Sequence, residues 1–425
     1  MSPMDDQVFM FFREKHLPEM LDIDPWISRI ARVCKDDMGG SRQRLQSKWA
    51  TFLKARLLCN IPADHVHFNR IQNVFVARSN NSDDRVYGIF NSNWNGSAIC
   101  SYSMEDINQV FRTSRFKGFA EDIPDPRPGT CGTDTQNLRD KVLNVVENHP
   151  EMKTDVHPIG NHPLVMDKEK LFQHIVVDSV VGVNGNVSRV LFLAMGDGKI
   201  QKVLEVGQSV FTISELVVLK EKTPILSMSL DSETEFLYVT TTKQVIRIPA
   251  AHCEMYNTCG DCVMARDPYC AWYPKVNTCV RTANNLNSHF IQDVEHGDNK
   301  KCPQERASSY RSGPREDEMT KSGLRLEGFG PVYLSCPKQS LHADYSWMVD
   351  NKVTACSSNE DDCQLFIQDL SEVNGVRYTC NSNERGHQQL HRSYSIHGSG
   401  PSILLSRYSV AVYSALMTAA ALVLH

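Results

Sequence analysis

Over the first 250 residues, short apolar runs alternate with polar positions and stop at turn residues, the period-two signature of strands. Residues 8–12, 85–90, 97–103, 172–180, 189–196, 225–230, 235–241 and 244–250 each predict a strand. Asp197-Gly198 supplies the dipeptide of a tight hairpin between strands. Hairpins repeated in this way predict an all-β region of propeller or sandwich type. One stretch breaks the rhythm. Residues 41–58, SRQRLQSKWATFLKARLL, place Leu45, Trp49, Phe52 or Leu53, and Leu57 at helical spacing. Arg44, Lys48, Lys54 and Arg56 fall on the other side, so this stretch predicts a helix packed on the strands with a solvated basic face.

At 425 residues the chain has room for two or three domains. Its 45 basic residues nearly balance 50 acidic ones without a long basic run, which removes the electrostatic basis for nucleic-acid binding. The 14 cysteines fall in three even-numbered clusters, within 34–131, 253–302 and 336–380, as closed disulfide sets require. A zinc ribbon needs a second CxxC after Cys259-Gly-Asp-Cys262, and Cys270 and Cys279 do not supply it. A redox CxxC belongs at a helix start beside a βαβ unit, which this pattern lacks. Covalent staples in an exported protein are the expectation.

The sequons at Asn80, Asn95 and Asn186 agree with export and mark candidate glycosylation sites. His65 and His67 can share one side of a strand, but two histidines without a third ligand make a poor zinc site. The motifs G-x-S-x-G and H-E-x-x-H are missing from the sequence, as is G-x-G-x-x-G after a strand. Neither an enzyme nor a cofactor is expected. A disulfide-rich secreted enzyme would need a convergent catalytic set that these residues do not assemble.

The two ends point different ways. Residues 409–424 form an almost unbroken apolar run of 16, short of the roughly 20 that a spanning helix needs. Small residues (Gly398, Ser399, Gly400) and an eight-residue spacer precede it, the layout of a signal for a glycosylphosphatidylinositol (GPI) anchor attached at Gly398 or Ser399. A short tail-anchored helix is the alternative. The first 20 residues lack the basic, apolar and small-residue segments of a secretory leader. The chain therefore reads as N-terminally shortened.

Residues 336–380 carry the marks of an immunoglobulin fold: Cys336, Trp347 eleven residues on, and Tyr378 two before Cys380. The pieces in order resemble the semaphorin family, in which a sema β-propeller precedes a cysteine-rich PSI module and an Ig domain. SRIARVCKDDMGG, KWATFLKARLLC, VYGIFNSNWNGSAICSYSMEDINQVF, PDPRPGTC and CVMARDPYCAW, spread over residues 28–272, carry the resemblance. One Ig domain ahead of a GPI signal is most similar to the class-seven, GPI-linked members.

The resemblance implies an all-β chain. The C-terminal three or so blades of a sema propeller would fill residues 1–250, with the inserted helix at 41–58. A PSI module would follow at 251–303, a linker at 304–325, an Ig-like domain at 326–395 and the GPI signal at 398–425. It pairs Cys34 with Cys131, Cys59 with Cys100, Cys253 with Cys270, Cys259 with Cys302 and Cys262 with Cys279. Cys336–Cys380 would be the Ig bridge and Cys356–Cys363 a small extra one.

The implied role is a cell-surface ligand of a plexin receptor, C-type by family, acting on axon guidance, migration, adhesion and immune-cell signalling. Homodimerisation through the sema domain and integrin as a second partner are further implications. Where integrin-binding relatives carry Arg-Gly-Asp, this chain has Lys35-Asp36-Asp37, which lacks the arginine–glycine geometry. The alternatives are a non-signalling or decoy product and a plexin- or Met-like receptor ectodomain.

Overall fold

The computed structural model describes residues 6–15, 24–79, 83–218, 223–282, 289–303, 332–350, 352–358, 362–368 and 376–395. Two compact units divide at Pro303, residues 1–303 and 304–425. The expected linker 304–325, the tail signal, Asn80, Gly398 and Ser399 lie outside the described residues.

Four antiparallel sheets succeed one another in the first unit. Strands β1 (Gln7–Lys15), β2 (Trp26–Cys34) and β3 (Leu53–Arg56) make the first sheet. A short pair, β4 (Asn60–Ile61) and β5 (Val66–His67), leads into the second. That sheet comprises β6 (Arg70–Ala77), β7 (Arg85–Asn91), β8 (Ser97–Ser103) and β9 (Val165–Asp167). Between β8 and β9 the chain leaves on an excursion carrying helices α1 (Met104–Thr113) and α2 (Asp140–Asn148). The third sheet is β10 (Phe172–Val181), β11 (Val187–Met195), β12 (Lys199–Val206) and β13 (Ser209–Val217). The fourth is β14 (Ile225–Asp231), β15 (Phe236–Thr241) and β16 (Val245–Pro249).

The first strands β1, β6, β10 and β14 contact one another in series, so the sheets stack as propeller blades around their inner edges. There are four such sheets, where the resemblance implied three or so blades. Burial follows from this stacking. Positions 190–195 of β11, VLFLAM, are 0–1% exposed along their whole length because both faces are covered. In β15, at the end of the row, buried and half-buried positions alternate, as in a strand covered well on one face. The Asp197-Gly198 hairpin forms with Gly198 at φ +84°, where a Cβ would meet the Thr223 carbonyl oxygen at 2.6 Å.

The helix expected over 41–58 does not form. Residues 41–52 turn through irregular backbone, with Leu45 at φ +58°, and Leu53–Arg56 pairs antiparallel with Arg29–Arg32 as β3. Two interactions override the helical spacing. The free edge of β2 satisfies its backbone groups by pairing with β3, burying Leu53 and Ala55 while Lys54 and Arg56 face outward. The Asp37 carboxylate meanwhile takes the backbone N–H groups of Ala50 and Thr51, which a helix would use internally.

After β16 the chain enters a cysteine-rich module of helix α3 (Cys259–Met264) and the hairpin β17 (Cys270–Tyr273) and β18 (Thr278–Arg281). Thr258 and Asp261 cap α3 reciprocally through side chain and backbone. Bridges Cys253–Cys270, Cys259–Cys302 and Cys262–Cys279 tie the module together.

The second unit is a sandwich of two sheets. One holds β19 (Val332–Pro337) with β22 and β23, and the other holds β20 (Asp344–Val349) with β21, β24 and β25. The remaining strands are β21 (Lys352–Ala355), β22 (Ser357–Ser358), β23 (Asp362–Ile367), β24 (Arg377–Glu384) and β25 (His387–Ser395). Cys336–Cys380 crosses between the sheets beside the fully buried Trp347, whose indole N–H donates to the Cys363 carbonyl at 3.2 Å. Cys356–Cys363 closes a second, short loop.

Candidate functional site

The excursion between β8 and β9 and the loop between β2 and β3 meet at the Cys34–Cys131 bridge, whose Cα atoms lie 5.4 Å apart. Cys59–Cys100 pins the base of the same region. α1 starts at Ser103, whose hydroxyl accepts from Asp106 N, and buries Ile107 and Phe111. α2 buries Leu143 and Val146 against Leu45 and Ala50 of the β2–β3 loop. Arg44 fastens the two elements, donating to Asn144 Oδ1 at 2.6 Å and pairing with Glu147 at 3.2 Å. Neither helix was expected, although S-x-x-D at Ser103 followed by Ile107, Val110 and Phe111 is a legible start signal.

Lys35-Asp36-Asp37 sits on the rim of this pinned region. The Asp37 carboxylate accepts from Gly39 N at 2.8 Å, Ala50 N at 3.2 Å, Thr51 N at 2.8 Å and Thr51 Oγ1 at 2.6 Å. The same Thr51 hydroxyl accepts from Cys34 N at 3.0 Å, so Asp37 organises the loop around the disulfide. Asp36 is exposed and accepts from Gly132 N at 3.1 Å. Beside them lies an outward apolar group: Met38, 73% exposed, and Trp49, 52% exposed and stacked on Phe52 with centroids 6.0 Å apart.

Beneath the rim the charges are internal. Arg32 is buried, donates to the Gly129 carbonyl at 2.7 Å and lies 4.9 Å from the centroid of the Phe111 ring. Burial, with Arg127 and then Arg112 nearby, pulls its pKa down to about 10. Arg29 is buried and holds Glu14 at 2.7 Å and Glu151 at 2.9 Å. Burial pushes both carboxyls up, but bonds from Lys54 and Arg29 to Glu14, and from Arg29 and Lys117 to Glu151, outweigh it and leave both below the ordinary range.

A second polar knot joins the third sheet to the cysteine-rich module. Lys202, 2% exposed, donates to Asp267 Oδ2 at 2.6 Å and the Ala250 carbonyl at 2.7 Å, with its ammonium 4.4 Å from the Tyr269 ring centroid. Tyr269 donates its hydroxyl to Asp178, which also accepts from Ser232 Oγ at 2.7 Å. Burial, with Asp178 against it, pushes the Tyr269 hydroxyl far above its ordinary value. Gln292 bridges the same seam, donating to the Cys270 carbonyl at 2.8 Å while its Oε1 accepts from Val183 N at 3.0 Å.

Other expected site residues fall elsewhere. His65 sits in left-handed backbone in the turn just before β5 and only His67 lies on the strand, so they do not share a strand face. Among the described residues no group of three or more histidine, cysteine or acidic side chains is placed to hold a metal ion. Asn95 and Asn186 are exposed in hairpin turns. No helix among the described residues is long and apolar enough to cross a membrane.

The Sema domain family matches residues 71–232 and the Plexin repeat family, PSI, matches residues 252–303. Human semaphorin-7A is 35% identical over 394 residues, 89% of this chain and 57% of its own length. Mouse semaphorin-4C is 35% identical over 425 residues, 92% of this chain and 50% of its own. The chain thus spans about half the length of the curated relatives it matches. Among solved structures, Drosophila semaphorin 2a matches with TM-score 0.65 and 27% identity, covering 93% of this chain and 65% of its own. A chain from Drosophila plexin A in complex with semaphorin 1b matches with TM-score 0.61 and 28% identity, covering 68% of this chain and 62% of its own. With blade-like sheets, a knotted plexin repeat and class-seven and class-four relatives, the chain belongs to the semaphorin family.

Proposed function

We propose that this chain is an extracellular ligand that binds a plexin receptor, C-type in preference, through its sema sheets. The carrying observation is the likeness of those sheets to a chain from the plexin A–semaphorin 1b complex. The pairing of all 14 cysteines in seven bridges supports an oxidising, exported setting. In this reading the second unit is an immunoglobulin-like domain acting as a stalk, and residues 398–425 direct a GPI anchor at Gly398 or Ser399. Asn80, Asn95 and Asn186 carry N-linked glycans. Receptor engagement then alters adhesion and migration in the receiving cell, in axon guidance and immune regulation, with homodimerisation raising avidity. Integrin is a weaker candidate partner, because Asp37 spends its carboxylate on four internal bonds.

The test measures binding of the full chain to immobilised plexin ectodomains. Saturable binding to a C-type plexin, lost on reduction of the disulfides, is expected. Equal retention on plexin-coated and blank surfaces defeats the ligand reading. Release from cells by a phosphatidylinositol-specific phospholipase tests the anchor separately.

A further inference from the structure

The hairpin between β7 and β8 places an exposed indole next to a sequon. Ser92 N donates to the Gly96 carbonyl at 2.9 Å and Gly96 N donates to Ser92 Oγ at 2.8 Å, closing the turn from both sides. Asn95 stands at its tip with φ +66°, a left-handed conformation that asparagine tolerates. Trp94 folds over the turn. A Cβ at Gly96 would lie 2.0 Å from Trp94 Cζ3 and 2.1 Å from Cη2, so the ring rests directly on the glycine backbone. Its flank leans on the buried Phe68, with centroids 5.5 Å apart. Held this way, Trp94 still leaves 42% of its surface open, and the residue that follows is Asn95.

We infer that Trp94 is the platform for the first sugar of an N-linked glycan on Asn95, an inference that rests on the glycosylation reading above. The C–H-rich face of an N-acetylglucosamine carries slight positive charge and suits the negative face of an indole. In the folded turn Gly96 and Phe68 hold the ring in place by themselves, so stacking a sugar on it costs little further side-chain entropy. Attachment forms a bond from Asn95 Nδ2 to C1 of the sugar. It breaks the C1–O bond of a polyprenyl-diphosphate-linked oligosaccharide and releases one amide proton. It must precede folding, because Ser97, the hydroxyl residue of the sequon, is fully buried. Ser97 Oγ donates to Asn91 Oδ1 at 2.9 Å and accepts from Phe172 N at 3.2 Å.

The test is a double-mutant cycle on the full chain from mammalian cells. Asn95→Asp ends the sequon while keeping a residue that tolerates positive φ, and Trp94→Leu removes the platform but keeps an apolar side chain against Phe68. With Trp94 present, Asn95→Asp lowers the first unfolding midpoint by roughly 2–4 °C; in the Trp94→Leu background it lowers it by under about 1 °C. The acetamido methyl resonance of the first sugar moves upfield from its free-glycan position only when Trp94 is present. Peptide mass spectrometry reads occupancy first. An unoccupied Asn95 overturns both the glycosylation reading and the platform, whereas an occupied Asn95 with equal shifts in both backgrounds overturns the platform alone.

Discussion

The third sheet and the cysteine-rich module adjoin one another, yet they are held together by opposite means. In the sheet, cohesion comes from apolar area: Val190, Leu191, Phe192, Leu193, Ala194 and Met195 are each at most 1% exposed. In the module, five cysteines are buried with only a few large apolar side chains of its own, Val263, Tyr269 and Trp272, in a cluster that runs on into the sheets. Covering both faces of a strand needs neighbours on both sides, which the row of blades supplies and a 52-residue module does not. Covalent links substitute for the missing layer. Where the two regimes meet, the apolar contact of Phe192 with Tyr269 encloses a dry ion pair, Lys202 with Asp267.

That join gives the largest expected effect. Lys202→Met strands Asp267 as a buried, unpaired charge and should cost about 3–5 kcal/mol. Calorimetry would show the module unfolding ahead of the blades. Adding Asp267→Leu should recover much of the loss, because a dry apolar pair replaces a dry ionic one. Equal stability of Lys202→Met and the wild type would mean that the seam is held by something else.

Next comes the module's own frame. The Cys253–Cys270 bridge spans 17 residues, and replacing both cysteines by serine should cost roughly 3 kcal/mol on loop entropy. Limited proteolysis should then cut within 252–303 while leaving the third sheet whole. Cleavage within 190–195 at the same rate would erase the contrast.

The smallest effect is pH dependence at the first sheet, where Glu14 and Glu151 flank Arg29. Both carboxyls sit below their ordinary value of 4.5 in the fold, so their contribution is fully present above that pH and is lost as pH falls through the lowered values. Acid titration of unfolding free energy should steepen below about pH 4.5. Glu14→Gln should flatten that slope, whereas an unchanged slope would remove Glu14 from the explanation.

The strands were legible because alternation survives wherever one face is covered better than the other, as at 236–241. β3 was not. Its partner lies over 20 residues away on β2, and KWATFLKARLL satisfies a helical period as well as an alternating one. α1 and α2 were passed over because their start signals fall among strand and turn residues. The cysteine pairs came from family likeness, since six cysteines alone allow 15 connectivities. Lys202 and Asp267 carry no periodic signal at all. They are 65 residues apart, and a lysine within KIQKVLEV reads as an outward position until the module is seen to cover it.

The sealed centre of the third sheet has a further consequence during synthesis. VLFLAM contains no charge, proline or glycine, and its β-branched and aromatic members suit cross-β stacking. Until β10 and β12 have closed on its two edges, the segment is a template for copies of itself. Yield in the secretory pathway should therefore depend on how quickly one nascent hairpin finds its neighbours, and chaperones that shield extended apolar segments should decide how much chain escapes aggregation.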